Sequence, residues 1–483
     1  MKAKNRRITY FAVSGGIVLA LLSGVTIAAN IQKNNLDLLL GRGKQHVDDE
    51  GTHSANYIDF KFNSQEEALK NAQAMTQLTA EEGITLLKND DNCLPLETNA
   101  QGELTKGVTV LGYYSWHNNM SGGEDPATTS GAVSIANGMK NLFGNKYNAK
   151  TEELYNAANG DFDNPAASLE SAESTFADYP IAVVTLKRNS GEGNDQVTNM
   201  GSKEQGRTGL TINNAELKLI DYACQHFEKV IVVINSANAM ELGWLKDANL
   251  VGGQYTDPYN PTQQYNFSNV KAALWAGCCG SQGGTALARI LVGEVNPSGH
   301  LVDTYVKDLT ADPTWQNFGT YVYDNSDELK SYQDETFFIH YEEGIYVGYR
   351  YYETAAKEAA EGNYAGFNYD DAVVYPFGYG LSYTQFSREF VGTPSFDTET
   401  NEYTFTVRVT NTGGVAGKGV AQIYVNTPYI EGGVEKAHVV LVGFGKTEIL
   451  AAGEHEDLTI KVNRDYFTNY DYKTEKAYIL DEG

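Results

Sequence analysis

The hydrophobic pattern changes period along the chain, and each change marks a different kind of segment. Residues 8–29 form an uncharged run behind Lys2, Lys4, Arg6 and Arg7. At about 1.5 Å rise per residue, a helix of this length crosses a hydrocarbon core ~30 Å thick. Residues 30–59 are polar and read as a spacer. Ser64-Gln-Glu-Glu67 is a capping-box pattern, which predicts a helix with Ala68, Ala72, Met75 and Thr79 on one face, ended by Gly83. Apolar runs at Ile84–Leu87, 108–112, Ile181–Leu186, Val230–Ile234 and Ala272–Trp275 read as strands. Between them, 213–227 (Leu217, Ile220, Ala223 and Cys224 on one face) and 284–292 carry helical spacing. Continuous apolar strands alternating with helices predict an α/β sandwich, a mostly parallel sheet with helices on both faces.

Beyond Tyr383 the period becomes two. Glu402-Tyr-Thr-Phe-Thr-Val-Arg-Val409 alternates, Asn411-Thr-Gly-Gly414 turns, and Val420–Val425, Val439–Phe444 and Asp457–Val462 continue the series. Short alternating strands with Gly and Asn turns predict an antiparallel β-sandwich. The expected organisation is a basic N-terminus with membrane anchor or signal over 1–29, a spacer over 30–59 and the α/β domain over 60–310. A connecting segment over 311–384 and the sandwich over 385–483 complete it.

Net charge is −26 with pI near 4.7, which excludes nucleic acid as a partner because phosphate contact needs a surplus of Lys and Arg. The four cysteines (Cys93, Cys224, Cys278, Cys279) lack metal-ligand spacing and read as loop and core residues. No phosphate-binding Gly-Lys-Ser/Thr motif and no His-x-x-x-His pair occurs, so no cofactor or metal is expected. The basic flank of residues 8–29 stays in the cytoplasm by the positive-inside rule, which places the chain after Asn30 outside. An uncleaved anchor is favoured because no small-x-small site precedes the polar boundary; a cleaved signal peptide is the competing reading.

The candidate chemistry starts at Lys187-Arg-Asn-Ser-Gly-Glu-Gly-Asn-Asp195, directly after the strand Ile181–Leu186. Ligands of open α/β sheets gather at the carboxyl ends of such strands. Glu192 lies between two glycines, on backbone able to approach a substrate closely. A solvated acidic loop is the bland alternative. Five further segments carry a recognisable order: Glu81-Glu-Gly-Ile-Thr-Leu-Leu-Lys88 with Leu94-Pro-Leu96, then Val270–Gly277 with Ser281-Gln-Gly-Gly284. Next come Ile290-Leu-Val-Gly-Glu-Val-Asn-Pro-Ser-Gly299, Tyr341–Tyr352 and Val374-Tyr-Pro-Phe-Gly-Tyr-Gly-Leu-Ser-Tyr-Thr384. Taken together, residues 55–483 resemble the non-barrel half of glycoside hydrolase family 3, the β-glucosidase family, with a fibronectin type III-like domain as the sandwich.

The resemblance implies a retaining glycosidase acting on an oligosaccharide or β-glycoside. That chemistry needs two carboxyl groups about 5 Å apart. In the family the nucleophile is an Asp on a (β/α)8 barrel and the general acid/base comes from the α/β domain; the match falls on Glu192. Substrate-binding roles fall on Asp195, Arg188, Arg207 and Ser121. Each has a plainer alternative: a turn residue for Asp195, a surface arginine for Arg188, a loose loop match for Arg207, a plain turn for Ser121-Gly122-Gly123. Glu241 is a second acid beyond a strand end, ranked lower because it is expected to enter a following helix, where an N-terminal carboxylate is ordinary dipole chemistry. Tyr341–Tyr352 and Tyr375–Tyr383 read as packing at the domain connection, with a sugar-stacking platform as the alternative. Nothing resembles the barrel. The expectation is therefore a truncated hydrolase of permuted order, anchored through residues 8–29 and supplying the acid/base half, with a barrel in cis or trans. A non-catalytic carbohydrate-binding or interaction protein is the alternative.

Overall fold

The computed structural model describes residues 2–33, 36, 61–116, 131–157, 165–188, 196–204, 206–246, 250–251, 253–319, 321–329 and 337–481. It divides into two units, Met1–Asn63 and Ser64–Gly483. The first contains helix α1 (Lys2–Ile31), within which Ile8–Ile31 is long and apolar enough to cross a membrane, with mean hydropathy 2.1.

In the second unit, α2 (Gln65–Gly83) starts where the capping pattern predicts, with the Ser64 hydroxyl accepting from the Glu67 amide at 3.1 Å. A five-stranded sheet comes next, built from β1 (Thr85–Asn89), β2 (Val108–Leu111), β3 (Ile181–Arg188), β4 (Lys229–Ser236) and β5 (Val270–Trp275). Its order is β1-β5-β4-β3-β2, parallel throughout except that β1 runs antiparallel to β5. Because alternate side chains of a strand face opposite ways, the central strands feed two separate cores. Ala182, Val184, Leu186, Val232 and Ile234 join Leu217 and Ile220 of α4 (Asn214–His226) on one face. Ile181, Val183, Ile231 and Val233 join α3 (Ile135–Phe143) and α5 (Gly283–Leu291) on the other. Strands buried on both faces have no polar side to alternate, so they read as unbroken apolar runs in the sequence.

Two motifs acquire a physical reason here. A Cβ on Gly284 would lie 2.1 Å from the Ser134 carbonyl oxygen, and one on Gly138 would lie 2.0 Å from the Gly284 oxygen. α3 and α5 therefore meet backbone to backbone, a contact closed to any residue with a side chain. In Glu81-Glu82 the two carboxylates diverge. Glu81 pairs with Arg289 of α5, and Glu82 takes Lys418 and Lys446 from the sandwich, the latter at 2.8 Å.

The connecting segment is pinned by the aromatic motif that precedes the sandwich. Tyr379 donates to the Leu87 carbonyl at 3.1 Å, Tyr383 to the Ile290 carbonyl at 2.9 Å, and the Leu381 amide to the Leu86 carbonyl. Tyr375 is fully buried. Packing is thus the work of Tyr375–Tyr383. The upstream tyrosines divide: Tyr352 is buried, whereas Tyr341 is 71% exposed. Helix α6 (Tyr349–Ala360) meets the sandwich at its first residue, where the Tyr349 hydroxyl accepts from the Leu441 amide.

The antiparallel sheets match the period-two pattern. β8 (Glu402–Asn411) is flanked along one edge by β6 (Phe386–Phe390) and β7 (Ser395–Asp397) end to end, and along the other by β11 (His455–Asn463). β9 (Val420–Val425) pairs with β10 (Val440–Lys446). Val407, Val409, Ile423, Leu458 and Ile460 fill the space between these layers.

The helix contact generates a test. Gly284→Ala forces α3 and α5 apart and is expected to cost about 1–3 kcal/mol in a denaturant melt. Gly83→Ala, where no atom lies within 4 Å of the added Cβ, is expected to stay within about 1 kcal/mol of the parent.

Candidate active site

β3 and β4 are parallel neighbours in register, with Arg188 opposite Ser236, so the chain leaves both strands at one common edge of the sheet. Glu192 comes four residues after Arg188, and Glu241 comes five after Ser236. Glu192, Asp195 and Ser121 lie outside the described residues. The two flanks of the Glu192 segment are described, and both are fastened by buried arginines.

Arg188 closes the first flank. It is 7% exposed, which corrects the surface reading: its position ends a strand buried along its whole length. Its guanidinium takes both oxygens of Glu216, at 2.6 and 2.8 Å, and donates to the Thr211 carbonyl. Glu216 simultaneously accepts from the Asn213 amide at 3.0 Å in the capping box of α4. One carboxylate therefore starts a helix and neutralises a buried cation. Burial opposes the charge on Arg188, but the Glu216 carboxylate outweighs it and raises the guanidinium pKa.

Arg207 closes the second flank. It is 2% exposed, bonded to the fully buried Asp257 and paired with Glu204 at 3.0 Å. It also donates to the Ile212 carbonyl at 3.0 Å and lies over the Tyr259 ring, 4.8 Å from its centroid. The two guanidiniums thus reach the adjacent carbonyls of Thr211 and Ile212. Planar forks with fixed donor geometry suit this task in a way an ammonium does not. What the structure shows of Arg188 and Arg207 is this fastening, with donors directed to protein acceptors.

Glu241 precedes a helical turn, Gly243–Lys246, as expected, but its carboxylate is held by other partners rather than by that turn. It is 6% exposed, accepting from the Tyr259 hydroxyl at 2.9 Å and from the Leu309 amide at 3.0 Å, while its own amide donates to the Leu210 carbonyl. Burial pushes its pKa up to about 7, against the lowering effect of those two donors, with Asp308 adding to the rise and Arg207 opposing it. The sequence signal for this was a Glu five residues past a buried strand end; Tyr259 and Leu309, far along the chain, were invisible to local spacing. Cys278 is exposed and Cys93, Cys224 and Cys279 are buried thiols.

The buried charges set two expectations for stability. A carboxyl raised from 4.5 to about 7 disfavours the folded state progressively as pH climbs from the unfolded value to the folded one. The full cost, present above about pH 7, is on the order of 3 kcal/mol at ~1.4 kcal/mol per unit. Glu241→Gln is therefore expected to flatten the fall in melting temperature between pH 5 and pH 8. Arg207→Met leaves Asp257 buried without its cation and is expected to cost about 3–5 kcal/mol in a denaturant melt.

The comparisons with known proteins agree with this architecture. The sequence model of the Glycosyl hydrolase family 3 C-terminal domain matches residues 84–349, and that of the Fibronectin type III-like domain matches residues 419–483. Beta-glucosidase A of Butyrivibrio fibrisolvens is 30% identical over 446 residues, covering 83% of this chain and 47% of that protein. An exo-α-(1→6)-L-arabinopyranosidase of Bifidobacterium longum is 27% identical over 404 residues, covering 81% and 44%. The crystal structure of a β-glucosidase from Paenibacillus barengoltzii superposes with a TM-score of 0.64 at 27% identity, covering 85% of this chain and 40% of that one. The chain spans less than half the length of each of these three relatives. With a family match over residues 84–349, more than half its length, the chain belongs to glycoside hydrolase family 3.

Proposed function

We propose that this chain supplies the general acid/base of a retaining glycosidase acting on terminal β-linked sugars, with Glu192 as that group. The observation that carries the reading is the pair of buried arginines. Arg188 and Arg207 fix both flanks of the Glu192 segment to Thr211 and Ile212 at the carboxyl edge of a parallel sheet. A general acid must be held within hydrogen-bond reach of the leaving oxygen, and a loop with a rigid base meets that need. Such a reaction also needs a nucleophilic carboxylate on the opposite face of the sugar, about 5 Å from the acid. We place it on a barrel in cis or trans, in line with relatives about twice as long as this chain. Asp195 and Ser121 are assigned to sugar hydroxyls; Arg188 and Arg207 serve the substrate by positioning the loop. Cover from the barrel and the sugar would raise the Glu192 pKa toward the working range of an acid.

Helix α1 is assigned as a membrane anchor that holds this half outside the cell, consistent with the length and apolar composition of Ile8–Ile31 and the basic residues in its first turns. The sugar is left open between hexosides and pentosides, since both a β-glucosidase and an arabinopyranosidase are among the relatives.

The test is aryl-β-glycoside hydrolysis by the full chain in mild detergent, alone and mixed with a separately produced family 3 barrel. Activity is expected only in the mixture, and Glu192→Gln is expected to lower it at least ~100-fold. Hydrolysis by the chain alone would overturn the placement of the nucleophile. An inactive mixture, or full activity with Glu192→Gln, would favour a non-catalytic carbohydrate-binding role.

A further inference from the structure

Two cavities share part of their wall beside α6, the larger of them reaching the sandwich. The larger, about 720 Å³, is bounded by Tyr346, Tyr351 and Glu358 on one side and by Asn426, Tyr429 and Glu435 from the loop after β9 on the other. The smaller, about 450 Å³, is bounded by Asp308, Phe367, Asn368 and Asp371. Tyr351 and Tyr364 line both cavities and form the ridge between them.

The ridge is rigid and open at once. The hydroxyls of Tyr351 and Tyr364 are 3.1 Å apart, and the Tyr364 ring stacks on Phe367 with centroids 5.6 Å apart and planes 13° apart. Tyr364 nevertheless keeps 42% of its surface exposed. A ring so held loses little freedom when a ligand settles on it. Around the ridge stand acceptors and amides: Glu435, which takes the Tyr346 hydroxyl at 2.7 Å, Asn426, Glu358, Asp371 and Asn368.

The wall chemistry narrows the occupant. An anion would face Glu342, Glu343, Glu358 and Glu435, while the lysines of the larger cavity are already engaged, Lys357 with Glu361 and Lys436 with Asp481. A lipid or other apolar ligand would bury these carboxylates without compensation. A pyranose ring satisfies both sets of groups, with its C–H face on a tyrosine and its hydroxyls donating to carboxylates and amides. Two cavities that share one aromatic ridge suit a chain of sugars better than a single one.

We propose that these cavities form a saccharide-binding groove, in which a neutral oligosaccharide lies across Tyr364 and Tyr351. The groove does not depend on Glu192 acting as an acid. Its inner end is Asp308, the residue before Leu309, whose amide holds Glu241.

The experiment is titration of the full chain in mild detergent, monitored by tyrosine fluorescence and calorimetry, with cellotetraose, xylotetraose and spermidine. Saturable binding of at least one tetrasaccharide is expected. Tyr364→Ala should weaken it roughly tenfold, the worth of one aromatic contact, while a cooperative melt shows that the fold is retained. Tyr364→Phe, which keeps the ring, should stay within about twofold. Failure of both tetrasaccharides to bind, or undiminished binding by Tyr364→Ala, would overturn the proposal. Saturation by spermidine without saccharide binding would overturn it too, and identify a site for organic cations.

Discussion

At the carboxyl end of β3, two guanidiniums are taken out of water and held between carboxylates and main-chain carbonyls. Withdrawing such charges costs several kcal/mol apiece, on the order of magnitude known for buried ions, and is offset only while every donor has an acceptor in good geometry. That requirement ties distant parts of the chain together. Arg188 demands Glu216, which demands the start of α4 at Asn213. Arg207 demands Asp257, Glu204 and the ring of Tyr259. Tyr259 in turn reaches Glu241, which reaches Leu309. The described residues beyond the ends of β3 and β4 are thus tied together by buried polar contacts.

Such contacts concentrate buried charge at one end of the sheet. The strands β3 and β4 are largely apolar on both faces and need helices for cover, with Thr185 and its bond to Ser115 an interior exception. Buried charge gathers near the end of β3, where Arg188 and Arg207 satisfy the carbonyls of Thr211 and Ile212 just before α4. Glu241 shows the electrostatic consequence. With a single cation near it and Asp308 close by, burial dominates and its carboxyl is held close to neutrality, available to gain or lose a proton near pH 7.

Much of the fold was legible because it rests on local rules. The capping signal at Ser64 and the helical spacing of residues 213–227 marked two helices. The apolar runs at Ile181 and Val230 marked strands buried on both faces, and the alternation of residues 402–409 marked the sandwich. The site was legible to a smaller degree. Its position after β3 came from the strand itself, but the surroundings of Arg188, Arg207 and Glu241 depend on partners such as Asp257 and Leu309 that no spacing rule connects to them. Burial of a charge is a tertiary property: Arg188 looks like any surface arginine until Glu216 is brought beside it. The tyrosines of 341–352 split for the same reason, Tyr352 turning into the interior and Tyr346 and Tyr351 facing a cavity.

The central claim is that Glu192 transfers the proton, and chemical rescue addresses it most directly. In a retaining mechanism a small anion can attack the glycosyl-enzyme without help from a general base, so it bypasses a missing acid/base but not a collapsed site. With the barrel supplied and an aryl glycoside bearing a good leaving group, azide is predicted to restore turnover of Glu192→Gln and to yield the β-glycosyl azide. Absence of that product from Glu192→Gln, or its formation by Glu241→Gln instead, would contradict the assignment.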